Sequence, residues 1–211
     1  MHEHNHQQPP GGTGHDHASW EERYGAATAL WSGQVNPTLA AEAADLTPGR
    51  ALDVGCGEGG DTLWLAGRGW QVTGLDWSQT ALDRAAGHAA AAGLTDQVAW
   101  LRADIATWQP PVAAFDLVSV HFLHPEAELR HELVPRLASS VVPGGTLLWV
   151  GHAQDEVRAA TWGGDRFAAA AEVAADLDPH EWDIVIAASQ PRPAGEHDHH
   201  DADEVVRARR R

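Results

Sequence analysis

The chain has 211 residues, with 14 basic side chains, all arginine, against 30 acidic ones, for a net charge of -16. That length fits one domain with a substantial core, while the acidic balance argues against a nucleic-acid partner, which needs clustered positive charge. One cysteine, Cys56, excludes a disulfide framework and a cysteine-cluster metal site, and no apolar run of about 18 residues encodes a membrane span.

Residues 1–17 hold five histidines among Gly, Pro, Gln, Asn and acids and have little to bury, so they read as a disordered tail. The start lacks the basic and apolar regions of a signal peptide, and the expectation is a cytoplasmic protein whose single domain spans 18–211. Within it, residues 18–48 should form an N-terminal helical cap. Ser19 is a candidate N-cap for a first helix, and Asn36 with Pro37 should open a second that runs to about Leu46. From Arg50 onward, short apolar runs alternate with helical stretches: 51–55, 71–76, 98–101, 115–120 and 146–150 read as strands. Helices fall at 61–66, 79–92 and 126–139. Near-continuous apolar strands separated by helices predict an α/β fold with a doubly wound parallel sheet. A helix after Asp165 reaching Leu177 and two strand-like runs, 181–188 and 203–209, close the chain as an antiparallel pair.

Residues 53–61 carry the most chemistry. Gly55, Gly57 and Gly59 sit between a predicted strand and a predicted helix, where glycine lets backbone approach a ligand. Gly55, Gly57 and Gly60 also satisfy the dinucleotide pattern, with Asp76 at the distance of a ribose-binding acid. Asp53 would repel a pyrophosphate yet suit an ammonium group. Asp104 adds an acid at the end of the third strand, and all of these face the crevice where open α/β sheets bind ligands.

With these motifs the chain resembles the class I S-adenosylmethionine-dependent methyltransferases. Asp53, Gly55, Gly57 and Gly59 match that superfamily's first motif, Asp76 its ribose acid, Asp104 its adenine acid, and 115–118 its fourth-strand motif. Residues 20–24 and 30–37 resemble the small-molecule branch that includes tellurite-resistance and thiopurine methyltransferases. The resemblance implies a Rossmann-like seven-stranded sheet, mostly parallel with an antiparallel C-terminal strand pair, S-adenosyl-L-methionine as cofactor, and a small-molecule substrate. It implies that Gly55, Cys56 and Gly57 pass under the methionine moiety, with Asp53 near its amino group. Asp76 would accept the ribose hydroxyls, Trp77 cover the adenine, Asp104 accept its amino hydrogen and Ile105 donate from its backbone. Trp31 is a further candidate for cofactor contact, and His121, just past the fourth strand, would sit between cofactor and substrate.

Methyl transfer from a sulfonium needs alignment first, and a base only if the acceptor must lose a proton. His121 and His124 follow the fourth strand and are the candidate catalytic residues; His152 follows the fifth. No Asn-Pro-Pro-Tyr or Asp-Pro-Pro-Tyr follows the fourth strand, which speaks against amino-methylation of DNA bases and protein glutamine, and Cys56, inside the glycine loop, is in the wrong place for a nucleophile. The substrate pocket should draw on residues 20–31, the loop after His121 and residues 153–166. The histidines of the tail and of 197–200 would bind divalent metal only adventitiously. Two other readings stay open: a non-catalytic cofactor-binding or metal-buffering protein, and a nicotinamide-dependent oxidoreductase.

Overall fold

Seven strands build the fold: β1 (Arg50–Val54), β2 (Gln71–Asp76), β3 (Val98–Arg102), β4 (Phe115–His121), β5 (Val141–His152), β6 (Trp182–Pro191) and β7 (Ala202–Arg210). They form one sheet in the order β3-β2-β1-β4-β5-β7-β6. The computed structural model describes residues 17–153, 166–191 and 202–211. β1 to β5 pair in parallel, and β7 runs antiparallel to both β5 and β6. The sheet is therefore the mostly parallel, seven-stranded one that the resemblance implies. The chain winds outward from β1 to β3, then returns to lay β4 on the other side of β1. That reversal opens a crevice at the carboxyl ends of β1 and β4.

Alternate strand residues point to opposite faces, so a strand covered on both sides must be apolar throughout. Leu52, Val54, Val118, Val120, Leu147 and Trp149 pack one face with α5 (Ala127–Ala138) and α6 (Ala170–Ala175). Ala51, Val72, Leu117, Leu148 and Val150 pack the other with α2 (Pro37–Glu42) and α3 (Gly60–Ala66). α4 (Gln79–Ala92) buries Ala81, Leu82, Ala85 and Ala89, one stripe at helical spacing. Ser78 caps it by accepting from Ala81 N (3.1 Å), and Gly93 ends it in the left-handed region at φ 70.

Several expected boundaries move. α1 (His17–Ala26) begins two residues before Ser19, and α2 stops at Glu42 rather than near Leu46, giving way to turns. α6 is only six residues long. β3 ends at Arg102, so Asp104 lies in the loop beyond it. β5 starts five residues early: Phe115 pairs Val141 and Leu117 pairs Thr146, so 142–145 bulge out within the strand. Apart from His17, the histidine-rich tail lies outside the described residues, as do 154–165 and histidines 197, 199 and 200.

Candidate functional site

The glycine loop leaves β1 at the crevice. Gly55, Gly57 and Gly59 adopt φ values of 73, 51 and 87, a region side chains other than glycine rarely enter. Gly55 N and Cys56 N both donate to Leu75 O at 2.8 and 2.9 Å, which staples the loop to β2. Trp100 of β3 supports it from beneath. A Cβ at Gly59 would meet the Trp100 ring and Ala85 Cβ, each at 3.0 Å, and one at Gly74 would sit 2.6 Å from Trp100. Cys56 faces this packing, and burial, with Asp53 and Asp76 nearby, pushes its thiol well up, away from nucleophilic use.

Three carboxylates ring the loop. Asp53, the fourth residue of β1, is buried and accepts from Thr62 Oγ1 at 2.5 Å. Burial first, and the charge of Asp61 second, raise its pKa to about 7. Asp76 ends β2, with Oδ2 accepting from Gly57 N and Oδ1 from Ser78 N, both at 2.9 Å. Burial raises its pKa as well, against the pull of those hydrogen bonds. Asp61 lies in the first turn of α3. Among the described residues no arginine pairs with Asp53 or Asp76. The crevice thus concentrates negative charge that nothing in the described structure neutralises.

Beside β2, Trp77, Arg102, Ala103 and Asp104 line a cavity of about 220 Å³. Arg102 Nε donates to Trp77 O at 3.1 Å, and Asp104 Oδ1 accepts from Ala106 N at 2.9 Å. Ile105 turns its side chain into the core, and its carbonyl accepts from Arg136 at 2.5 Å. Trp77 and Asp104 are thereby brought together as expected; Arg102 was missed, since nothing in an alternating strand marks its last arginine.

The N-terminal segment closes over the loop. Trp31 Nε1 donates to Tyr24 Oη at 3.1 Å, and both groups lie against Gly57. Trp20 packs near both rings, at 6.1 and 6.3 Å. Residues 27–36 have no regular structure, so their position depends on side chains. Glu58 does most of this. Its buried carboxylate accepts from Leu30 N, Trp31 N (3.0 Å) and Arg84 Nη1 (2.6 Å), and Arg84 Nη2 donates to the carbonyls of Tyr24 and Ala27. Glu21 of α1 accepts from Ser78 Oγ, tying α1 to the start of α4. Glu58, inside the glycine motif, was invisible as a clamp because its partners lie 26 to 28 residues away.

The histidines gather at the ends of β4 and β5. His121 Nδ1 lies 3.3 Å from Asp61 Oδ2 and 3.1 Å from Ser119 Oγ. Phe122 then takes φ 53, an unusual value for a residue with a side chain, and turns the chain sharply out of the strand. His124 and His152 stack at 5.1 Å, Phe122 stacks on His152 at 4.3 Å, and His152 N donates to His124 Nε2 at 3.2 Å. That bond occupies one His124 nitrogen, so the ring forms a wall with Phe167, 4.9 Å away.

Strand order, crevice and glycine loop together define the class I S-adenosylmethionine-dependent methyltransferase fold. Comparison with known proteins agrees. Residues 51–145 match the family model for a methyltransferase domain. It is 32% identical over 142 residues to a probable thiol methyltransferase of Arabidopsis thaliana, covering 65% of this chain and 62% of that one. A thiocyanate methyltransferase of the same plant is 28% identical over 138 residues, covering 63% and 60%. The chain thus spans less than two thirds of the length of these relatives. A solved structure from work on converting a disulfide into a thioacetal in echinomycin biosynthesis shares the fold. It superposes with a TM-score of 0.73 at 24% identity, over 92% of this chain and 91% of that one.

Proposed function

We propose that this protein transfers the methyl group of S-adenosyl-L-methionine to a small-molecule acceptor by in-line displacement. The observation that carries the reading is the un-neutralised carboxylate ring at the glycine loop. Asp53, raised to a pKa of about 7, and Asp76, also raised, sit where an open α/β sheet binds its ligand. A cationic ligand with ammonium and sulfonium groups relieves that charge; a pyrophosphate adds to it, so the nicotinamide reading is not favoured. The residues present fit the cofactor in other respects. Gly55 and Gly57 leave the floor free of side chains, Asp53 would hold the amino group, and Asp76 the ribose hydroxyls. Trp77 and Asp104 line a cavity that would take the adenine. When bound, the cofactor supplies an activated methyl group. The chain contributes alignment, through the loop below and Tyr24 and Trp31 above, and exclusion of water.

The substrate pocket would form from Trp31, the turn at Phe122, and the wall of His124, His152 and Phe167. No large inserted domain is available to hold a macromolecule, and the net charge of -16 repels nucleic acid. No helix among the described residues is long and apolar enough to cross a membrane. A cytoplasmic setting belongs to the same proposal. Calorimetric titration with S-adenosylhomocysteine tests it, with NADH as the control ligand. Stoichiometric binding of the first alone supports the reading, and binding of neither refutes it. A protein that binds yet methylates nothing across thiols, phenols, amines and oxyanions would be a cofactor-binding protein instead.

A further inference from the structure

The crevice holds a further pair of side chains, Asp61 and His121, and the role assigned to them rests on the methyl-transfer reading. Asp61 is fixed at the head of α3, where its Oδ1 accepts from Asn36 N at 2.6 Å. Its Oδ2 faces His121 Nδ1 at 3.3 Å. Ser119 Oγ, hydrogen-bonded to the same nitrogen at 3.1 Å, can donate or accept, whereas a carboxylate can only accept, so with Asp61 beside it the proton of a neutral His121 belongs on Nδ1, leaving Nε2 as the lone-pair nitrogen. The His121 side chain is 5% exposed, and Nε2 is buried with no hydrogen-bond partner among the described residues. A buried polar atom without a partner is rare and calls for a ligand, a water or a catalytic role. Among the described residues two charged groups act on this ring, Asp61 from α3 and Asp203 from β7; both favour the imidazolium, but burial outweighs them and lowers the His121 pKa. The ring is neutral near pH 7.

Charge around the crevice narrows the acceptor further. With the cofactor's positive groups set against Asp53 and Asp76, Asp61 still places negative charge beside His121, while among the described residues the arginines bordering the crevice are engaged, Arg84 with Glu58 and Arg166 with Glu126. Such a field disfavours an acceptor that arrives as an anion and tolerates a neutral one. We propose that the acceptor is a neutral molecule bearing an ionisable X–H group, a thiol or acidic hydroxyl, with His121 as its general base and Asp61 as the positioning residue that sets the His121 tautomer. In the step, Nε2 takes the proton from X–H, and the electron pair of X forms the X–CH3 bond. The S–CH3 bond breaks with its pair left on sulfur, and the products are methylated acceptor, S-adenosylhomocysteine and imidazolium, which returns its proton to water.

The test uses the full chain with S-adenosyl-L-methionine and three acceptors: benzyl mercaptan, phenol and thiocyanate. Benzyl mercaptan or phenol should be methylated with a higher kcat/KM than thiocyanate. His121→Gln should lose about 100-fold or more on the thiol at pH 7. That deficit should shrink as pH passes about 8.5, the ordinary range of a thiol, because the acceptor then ionises unaided. Asp61→Asn should lose about 10- to 100-fold on the thiol. It should also shift the acidic limb of the rate profile to lower pH, since a charge favouring the imidazolium is gone. Faster turnover of thiocyanate, a His121→Gln deficit independent of pH, or no turnover of either X–H acceptor by protein that binds S-adenosylhomocysteine would overturn the proposal. Failure to bind S-adenosylhomocysteine would overturn the methyltransferase reading itself, and this proposal with it.

Discussion

Asp53→Asn separates the charge at the cofactor loop from the stability of the fold. In the folded protein Asp53 keeps its proton up to a pKa of about 7, against an ordinary 3.8. A group whose folded pKa is raised stabilises the fold fully at low pH, and that stability is lost as pH climbs from about 4 through 7. At about 1.4 kcal/mol per pKa unit, ionising Asp53 costs the native state about 4 kcal/mol by pH 8, more than half of which develops between pH 5 and 8. Asparagine retains an oxygen to accept from Thr62 Oγ1 and carries no charge. For a domain of this size 1 kcal/mol moves Tm by about 2–4 °C. The Tm advantage of the variant over wild type should therefore grow by about 5–10 °C from pH 5 to pH 8, read by calorimetry. In the same variant, S-adenosylhomocysteine affinity at pH 8 should fall about tenfold or more, because the ammonium loses its counter-charge. A Tm difference equal at both pH values, or unchanged affinity, would refute this account of the carboxylate.

Three further substitutions probe the rest of the site. Asp76→Ala removes the acceptor for Gly57 N and Ser78 N, and titration should show S-adenosylhomocysteine binding weakened about tenfold or more. Glu58→Gln weakens the clamp on residues 30 and 31: amide exchange at Leu30 and Trp31 should speed up, and the KM for the cofactor should rise about tenfold with kcat far less changed. Gly59→Ala places a methyl 3.0 Å from Ala85 and Trp100 at a backbone φ of 87, and should cost about 1–3 kcal/mol, seen as a lower denaturant midpoint.

Much of the fold was legible because its determinants are local. Strands buried on both faces must be apolar runs, and helices between them must carry an apolar stripe, so both periods can be read without a structure. Boundaries moved where a tertiary contact competed with local preference. β5 extends back to Val141 because its early residues find Phe115 to pair with, despite Pro143, Gly144 and Gly145. The expected helix to Leu46 instead breaks into turns after Glu42.

The site divides along the same line. Gly55, Gly57, Asp53 and Asp76 could be named in advance, since a ligand approaching backbone demands glycine and a cation demands an acid at the ends of adjacent strands. The sequence by itself determined the α/β class and the placing of these glycines and acids at the ends of the strands. Only the tertiary structure decided that Glu58 and Arg84 clamp an irregular segment over the loop, and that Trp100 supports the loop from below. It also decided that Asp61, 60 residues from His121, faces its Nδ1. Those partners are far apart in the chain, and no local preference couples them. They meet because strand order places the end of β1 beside the end of β4, and the helix that comes after β1 then delivers its first turn into the same crevice.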